Sequence, residues 1–238
     1  MFKPAGPGPF PSVVGLHGCG GLTNRAGAVD ERFRDWGERL SAAGYVAVFP
    51  DSFGSRGAGP QCRVREGRIR PVDRVGDAKA ARGWLQSQSW VKPDRVSAVG
   101  WSHGGSTVLY TVRERPRARG QDEGPDFRAA VAFYPGCRRP AETAWSARVP
   151  TLILIGLADE WTPANACQTM VDGAHGRSAR AEIVTYPNAH HGFDHPNMPV
   201  RELAGLTFTA NGSGRAHIGT DPVARDDAIR RVTEWLAR

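Results

Sequence analysis

The stretch VSAVGWSHGGS, residues 96–106, decides how the rest of the chain is interpreted. A short apolar run ends at Gly100, a single serine follows at Ser102, and two more glycines come directly after His103. The pattern Gly-x-Ser-x-Gly between a buried strand and a helix is typical of a strained turn that presents a serine nucleophile at a helix N-terminus. The alternative is a polar residue in an ordinary strand-to-helix loop. A base and an acid elsewhere in the chain would favour the nucleophile over the polar loop residue.

The remainder of the chain alternates short apolar runs with helical patterns. This alternation predicts an α/β fold with a mostly parallel sheet covered on both faces. The predicted strands are residues 12–17, 45–49, 95–100, 129–134, 151–156 and 182–186. Helices are expected after Asp30 as N-cap, over residues 72–85 and 106–113, and from Asp221 and Pro222 onward. Residues 197–219 are expected to form an excursion before the final helix, with a hairpin as one form of it. A chain of 238 residues is expected to be a single domain over residues 1–238.

A serine nucleophile needs a base and an acid that orients the base, and both follow later strands in the expected order. Asp159 comes shortly after the predicted strand 151–156, and His191 comes shortly after the strand 182–186. Glu160 and His190 are their rivals in the same two loops. The earlier, shorter acid and the histidine that precedes a Gly-Phe pair are preferred. The sequence therefore predicts a triad of Ser102, Asp159 and His191.

An oxyanion hole also requires two backbone N–H donors. One is expected from His103, the residue after the nucleophile. The other is expected from the loop LHGCGGL, residues 16–22, whose glycines let the backbone approach a substrate and which places Cys19 in the donating position. Only the N–H of Cys19 matters in this prediction, and its thiol is either incidental or disulfide-bonded.

A second interpretation rests on HHGFDH, residues 190–195, where His190, His191, Asp194 and His195 crowd together. Imidazole and carboxylate groups are metal ligands, so a metal-dependent hydrolase is one alternative. The spacing matches no standard zinc motif, and the triad already uses His191, so no metal ligand is assigned. A non-catalytic binding protein that kept the fold is the other alternative.

Composition and charge limit the class of protein. The net charge is +7, but the basic residues are mostly Arg and are spread along the chain without a block of like charges, which favours a solvated surface over nucleic-acid binding. Apolar runs stay well below the ~18 residues of a membrane helix, and the first residues lack the apolar core of a signal peptide. No nucleic-acid or membrane partner is expected, and the oligomeric state is left open.

The four cysteines contain no Cys-x-x-Cys pair, so a zinc site built from them is not expected. They are either free thiols of a reducing compartment or two disulfides of an oxidising one. For the second case we predict the pairs Cys19–Cys62 and Cys137–Cys167, because each joins loops expected at the same edge of the sheet. The localisation therefore stays open. The chain as given is interpreted as cytoplasmic, and as periplasmic or secreted if the natural N-terminus is longer and the cysteines are paired.

Six stretches between residues 12 and 195 carry a family resemblance. They are PSVVGLHGCGGL, GYVAVFPDSFGSRG, DRVSAVGWSHGG, AAVAFYPGC, PTLILIGLADEWTP and TYPNAHHGFDH. Together they resemble the dienelactone hydrolase family of α/β-hydrolases. The resemblance implies a doubly wound α/β-hydrolase fold, a triad on Ser102, Asp159 and His191, no cofactor, and a small ester or lactone as substrate. It also implies one or two antiparallel strands before residue 12, which this chain is expected to have in shortened form.

Two residues depart from the family pattern. Members that act on dienelactone itself carry a cysteine where this chain has Ser102 and a glutamate where it has Gly18. Both differences favour a more ordinary serine esterase, with a substrate other than dienelactone.

Three further residues are predicted to line the pocket. Arg56 follows the second strand at the carboxyl edge of the sheet and is expected to meet a substrate carboxylate, with a surface or loop-anchoring role as the alternative. Trp101 and Trp161 flank the catalytic positions and are expected to form pocket walls, with plain packing as the alternative.

Overall fold

Parallel strands make up the centre of the molecule. In residues 1–114 and 124–238, which the computed structural model describes, the strands are β1 (Phe10–Leu16), β2 (Val46–Val48), β3 (Val91–Trp101), β4 (Ala130–Phe133), β5 (Thr151–Gly156), β6 (Ala181–Tyr186), β7 (Arg201–Leu203) and β8 (Ala216–Ile218). The helices of the same residues are α1 (Glu31–Ala42), α2 (Val75–Gln86), α3 (His103–Val112), α4 (Arg138–Glu142), α5 (Ala164–Asp172) and α6 (Pro222–Ala237). Two short 3-10 turns cover Gly54–Arg56 and Pro71–Arg74.

The first six strands form one parallel sheet in the order β2-β1-β3-β4-β5-β6, and β7 pairs with β8 in a separate antiparallel ribbon. The chain moves in one direction from β1 to β2 and in the opposite direction from β3 to β6. Because parallel crossovers are right-handed, the helix that links β1 to β2 lies on the opposite face of the sheet from the helices that link β3 to β6. The doubly wound α/β fold predicted from the sequence is therefore confirmed.

The reversal of direction opens a crevice between the carboxyl ends of β1 and β3. The two strands pair so that Leu16 lies opposite Gly100. The loop over residues 17–22 and the turn at Ser102 therefore start side by side at one edge of the sheet. Ligands of open α/β sheets bind at such a switch point.

The strands agree with the sequence prediction most closely where both of their faces are buried. β5 is buried along its whole length and matches the predicted 151–156. β3 begins at Val91 rather than at residue 95, and its residues 92–94 are exposed. The apolar run that predicts a strand starts only where the sheet becomes buried, so the exposed beginning of β3 carries no such signal.

Two of the predicted helices begin at the predicted N-caps. The side chains of Asp30 and Asp221 accept hydrogen bonds from N–H groups in the first turns of α1 and α6. The predicted helix 72–85 is divided into the 3-10 turn Pro71–Arg74 and α2. α3 begins at His103, three residues earlier than predicted, because the turn after β3 leads directly into helical backbone.

The excursion over residues 197–219 contains the ribbon of β7 and β8. Ile218 forms a bridge with His191, and the N–H of Gly219 donates to the carbonyl of His191 at 3.1 Å. The ribbon therefore lies against the loop that follows β6. None of the helices in the described ranges combines the length and the apolar character that a bilayer crossing requires.

Both predicted disulfide pairs are confirmed. Cys19–Cys62 joins the loop after β1 to the segment that precedes the second 3-10 turn, and Cys137–Cys167 joins the beginning of α4 to α5. Within the described residues no cysteine is free.

Candidate active site

Ser102 stands on a sharp turn between β3 and α3. Its backbone has φ 54° and ψ −113°, a conformation that residues with a side chain rarely adopt. A Cβ at Gly100 would lie 2.3 Å from the carbonyl oxygen of Gly104, and a Cβ at Gly104 would lie 1.9 Å from the carbonyl oxygen of Leu16. Only glycine fits at either side of the serine, which explains the Gly-x-Ser-x-Gly spacing physically.

The structure joins the three predicted triad residues in one hydrogen-bonded chain. The Ser102 hydroxyl donates to Nε2 of His191 at 2.8 Å, and Nδ1 of His191 donates to Oδ2 of Asp159 at 2.8 Å. His191 and Asp159 are each 4% exposed, so the ion pair formed when the imidazole is protonated is shielded from water. This arrangement lets the serine lose its proton to a base that is held in a single orientation.

The carboxylate of Asp159 is held by its own loop. Its Oδ1 accepts from the N–H groups of Trp161 and Thr162, both at 2.8 Å, and its Oδ2 accepts from the Thr162 hydroxyl at 2.9 Å. Thr162 in turn lies close to β4, since its hydroxyl oxygen is also 3.0 Å from the carbonyl oxygen of Tyr134. The second carboxylate of the loop, Glu160, points away from the triad.

The aromatic rings beside His191 restrict its movement. The ring of Tyr134 lies 4.5 Å from the imidazole and that of Trp161 lies 4.6 Å from it, measured between centroids. The neighbouring His190 donates its Nδ1–H to the carbonyl of Ala158 at 3.0 Å and stays outside the chain of hydrogen bonds. The choice of His191 over His190 agrees with this geometry.

The two predicted oxyanion donors lie beside the serine. Cys19 and His103 line the same cavity as Ser102, and a Cβ at Gly18 would lie 3.7 Å from the Cβ of Ser102. Among the described residues, neither the N–H of Cys19 nor that of His103 has a hydrogen-bond acceptor, as expected at a loop and at the first turn of a helix. Both N–H groups are therefore available to an oxygen that acquires negative charge.

A buried arginine connects these two donor segments. The Arg74 side chain is inaccessible to solvent, and its Nη1 donates to the carbonyl of His17 at 2.8 Å and to Nδ1 of His103 at 2.9 Å. Burial lowers the pKa of Arg74 to about 10. Arg74 is not predictable from the sequence, since nothing in a helical pattern distinguishes an arginine whose side chain turns inward.

The two histidines beside Arg74 are held neutral. Burial, reinforced by the Arg74 charge, lowers the pKa of His103 to about 3 and that of His17 to about 4. His103 accepts from Arg74 and donates its Nε2–H to the carbonyl of Ile69 at 2.9 Å. The His17 ring donates to the carbonyl of Gly18 at 2.8 Å, and its Nε2 accepts from the Ser52 N–H at 3.1 Å. Neutral imidazoles can accept these bonds, and imidazolium ions cannot.

Ser102 opens into a cavity of about 460 Å³. Its walls include the aromatic side chains of Tyr110, Trp161 and Phe208. Trp161 lines the cavity. Arg68 also lines it, with the guanidinium 4.3 Å from the centre of the Phe208 ring. The cavity combines apolar surface with positive charge, a combination that fits an apolar or aromatic ligand bearing an anionic group.

Two of the three predicted pocket residues are placed elsewhere. Arg56 forms two hydrogen bonds of 2.8 Å with Asp77 and one of 2.7 Å with the carbonyl of Ser52, so it anchors its loop and does not line the cavity. Trp101 is fully buried, and its Nε1–H donates to Asp194 at 2.7 Å. Trp101 is the last residue of β3, where successive side chains face opposite sides of the sheet, and its side chain points into the core.

The histidine-rich stretch 190–195 does not form the metal cluster considered from the sequence. The Asp194 carboxylate is fully buried and accepts from Trp36 at 2.8 Å, from Trp101 and from the Tyr134 hydroxyl, while Arg32 lies 3.5 Å away. These contacts make Asp194 a polar centre of the core. Within the described ranges, a group of at least three metal-ligating side chains forms instead from Glu160, His190 and His217.

Comparison with known proteins identifies the family of this chain. The model of the dienelactone hydrolase family matches residues 1–238. A protein of Escherichia coli (strain K12) named "Putative carboxymethylenebutenolidase" is 25% identical over 96% of this chain and 77% of its own length. The apo form of Thermogutta terrifontis esterase 2 superposes with a TM-score of 0.69 at 23% identity, over 99% of this chain and 87% of that one, which shows a shared α/β-hydrolase fold. The chain belongs to the dienelactone hydrolase family.

Proposed function

We propose that the protein is a serine hydrolase that cleaves carboxylic esters or lactones through an acyl-enzyme. The observation that carries this proposal is the hydrogen-bonded chain from Ser102 through His191 to Asp159 at the wall of an open cavity. The family and the esterase with the same fold support the reaction class.

The first half of the reaction acylates the serine. Oγ of Ser102 attacks the ester carbonyl carbon while Nε2 of His191 takes the hydroxyl proton, and Asp159 stabilises the resulting imidazolium. The carbonyl oxygen becomes an oxyanion that accepts from the N–H groups of Cys19 and His103. The bond to the alcohol oxygen then breaks, and His191 returns the proton to that oxygen.

The second half releases the acid. Water attacks the acyl carbon while His191 takes one of its protons, and the same two N–H groups stabilise the second oxyanion. The bond to Oγ breaks, and His191 protonates Ser102. With a lactone, the alcohol oxygen remains attached to the acyl group, so the product is a single hydroxy acid.

The cavity favours a substrate with an apolar or aromatic part and a negative charge. Among the described residues Arg68 has no carboxylate within ion-pair distance, whereas Arg139 is paired with Glu142. An anionic group of the substrate is therefore expected to bind Arg68. Arg68→Gln is expected to lower kcat/KM for a p-nitrophenyl ester with an acyl carboxylate more than for p-nitrophenyl acetate. Equal losses for the two esters would contradict this assignment.

The proposed activity is tested with one variant and two assays. Ser102→Ala is expected to abolish both p-nitrophenyl acetate hydrolysis and labelling by a fluorophosphonate, with the circular dichroism spectrum unchanged. Ser87→Ala, at an exposed position after α2, is the matched control and is expected to keep both. Hydrolysis that survives in Ser102→Ala would refute the nucleophile.

The same assays distinguish the two alternatives. A metal-dependent hydrolase would be inhibited by EDTA and would resist the fluorophosphonate. A folded protein that neither hydrolyses any ester of a panel nor reacts with the fluorophosphonate would be a binding protein.

We infer an oxidising compartment from the cysteine pairing. Disulfides persist in secreted and periplasmic proteins and are rare where thiol reductants are abundant. Thiol titration of freshly purified, unfolded and unreduced protein is expected to find no free thiol. Four free thiols would contradict the inference.

A further inference from the structure

Three potential metal ligands meet outside the cavity. They are Glu160, which follows the acid of the triad, His190, which precedes its histidine, and His217 on β8. One ligand atom from each lies within 4.8 Å of the other two. The three residues come from separate parts of the chain, so no short sequence motif contains all of them.

His190 is oriented as a metal-binding histidine. Its Nδ1–H donates to the carbonyl of Ala158 at 3.0 Å, which leaves the lone pair on Nε2 free. A backbone carbonyl on the opposite ring nitrogen is the usual partner that fixes the tautomer of a metal ligand. The ring centroid of His190 lies 5.3 Å from that of His217, so the two imidazoles are neighbours.

Glu160 and His217 are already held together. The backbone N–H of His217 donates to Oε2 of Glu160 at 3.0 Å, and the ring Nδ1 lies 2.7 Å from the same oxygen. The side chains are 47% and 41% exposed, so a dissolved ion reaches them without any rearrangement of the core. A zinc ion holds its ligand atoms about 3.3 Å apart, a distance that rotation of these exposed side chains can supply.

We propose that Glu160, His190 and His217 bind a divalent transition-metal ion of the zinc class. Two imidazoles and one carboxylate form a frequent ligand set for zinc, whereas magnesium and calcium prefer oxygen ligands alone. Water supplies the fourth ligand. The bound ion takes no part in the ester chemistry proposed above, because none of the three side chains lines the cavity.

The position of the site gives the ion a mechanical role. Glu160 and His190 belong to the loops that carry Asp159 and His191, and the residue after His217 forms a bridge with His191. A bound ion therefore links the loop of the acid, the loop of the base and the β7–β8 ribbon.

Metal binding is measured directly on the full chain. The protein is treated with a chelator, dialysed, and titrated with Zn²⁺ by isothermal calorimetry, with Mg²⁺ titrated in parallel. We expect one Zn²⁺ per chain, a higher unfolding temperature in its presence, and no comparable binding of Mg²⁺. Failure to bind Zn²⁺, or equal affinity for Mg²⁺, would overturn the proposal.

Variants assign the ligands. His217→Phe keeps a ring beside His190, and Glu160→Gln keeps the shape of the side chain. Each variant is expected to raise the Kd for Zn²⁺ by more than about tenfold. His175→Ala removes an exposed histidine between α5 and β6 and is the matched control, expected to bind Zn²⁺ like the wild type. Unchanged affinity in both ligand variants would overturn the assignment. Circular dichroism confirms that each variant is folded.

Discussion

We expect the free energy of unfolding to fall between pH 7 and pH 5, because His17 and His103 are buried and neutral in the folded protein. The pKa of His103 is lowered to about 3 and that of His17 to about 4, from an ordinary value of 6.5. In the unfolded chain both imidazoles take up a proton near pH 6.5, whereas in the folded protein both stay neutral. The unfolded state therefore binds more protons, and its free energy falls relative to the folded state as the pH drops.

The size of this loss follows from the two pKa values. At pH 5 each unfolded imidazole is almost fully protonated, which lowers the free energy of unfolding by about 2 kcal/mol per histidine and about 4 kcal/mol for the pair relative to pH 7. The result hardly depends on the folded values, because any pKa at or below about 4 leaves the folded imidazole neutral at pH 5. Stability is complete above about pH 6.5 and declines toward pH 4.

Urea unfolding of the disulfide-intact protein at pH 7, 6 and 5 measures this loss. The free energy of unfolding is obtained at each pH from tryptophan fluorescence by linear extrapolation. In His103→Gln the difference between pH 7 and pH 5 is expected to shrink by about 2 kcal/mol, whatever the stability of the variant at pH 7. His175→Gln, at an exposed position, is the control and is expected to retain the wild-type pH dependence.

The comparison of pH differences makes the result decisive. If His103→Gln loses as much stability between pH 7 and pH 5 as the wild type, then His103 is not a neutral buried base and the account of the Arg74 cluster is wrong.

Three further predictions concern residues around the site. Asp194→Asn leaves the mostly buried Arg32 without its carboxylate and is expected to lower the free energy of unfolding by about 3–5 kcal/mol in urea, so a loss below about 1 kcal/mol would contradict the role of Asp194. Replacing Cys19 and Cys62 by alanine opens a crosslink that spans 43 residues and is expected to cost about 4 kcal/mol in the same assay; an unchanged midpoint would argue against the disulfide. Arg74→Met disconnects the two segments of the proposed oxyanion hole and is expected to lower kcat for p-nitrophenyl acetate about tenfold or more with little change in KM, whereas an unchanged kcat would exclude a positioning role.

Local patterns in the sequence determined the six parallel strands, four of the helices and the order of the candidate site, whereas α4, α5 and the bounds of β7 and β8 were not predicted. Apolar runs mark strands that are buried on both faces, and Asp30 and Asp221 mark helix starts through bonds to their own first turns. The glycines around Ser102 are required by contacts at a single turn and the adjacent strand end. These features are visible in the sequence because the forces that produce them act within one element or between neighbouring ones.

Side-chain partners distant in sequence were decided only by the tertiary structure. The pairing of Arg56 with Asp77 turned an expected pocket residue into a loop anchor, and the indole of Trp101 reached Asp194 in the core. Likewise, Arg74 makes its hydrogen bonds to His17 and His103, beside the proposed oxyanion hole, only because the 3-10 turn before α2 packs against both segments.

The loops that contain Asp159 and His191 also show which features the sequence determined and which the tertiary structure decided. Each offers two chemically similar neighbours, and the sequence by itself determined the pairs Asp159/Glu160 and His190/His191. Folding directed Asp159 and His191 toward Ser102 and turned Glu160 and His190 toward a ribbon that lies far along the chain. The physical reason is that the direction of a side chain in a loop depends on which distant groups satisfy its hydrogen bonds, and only the folded chain brings those groups within reach.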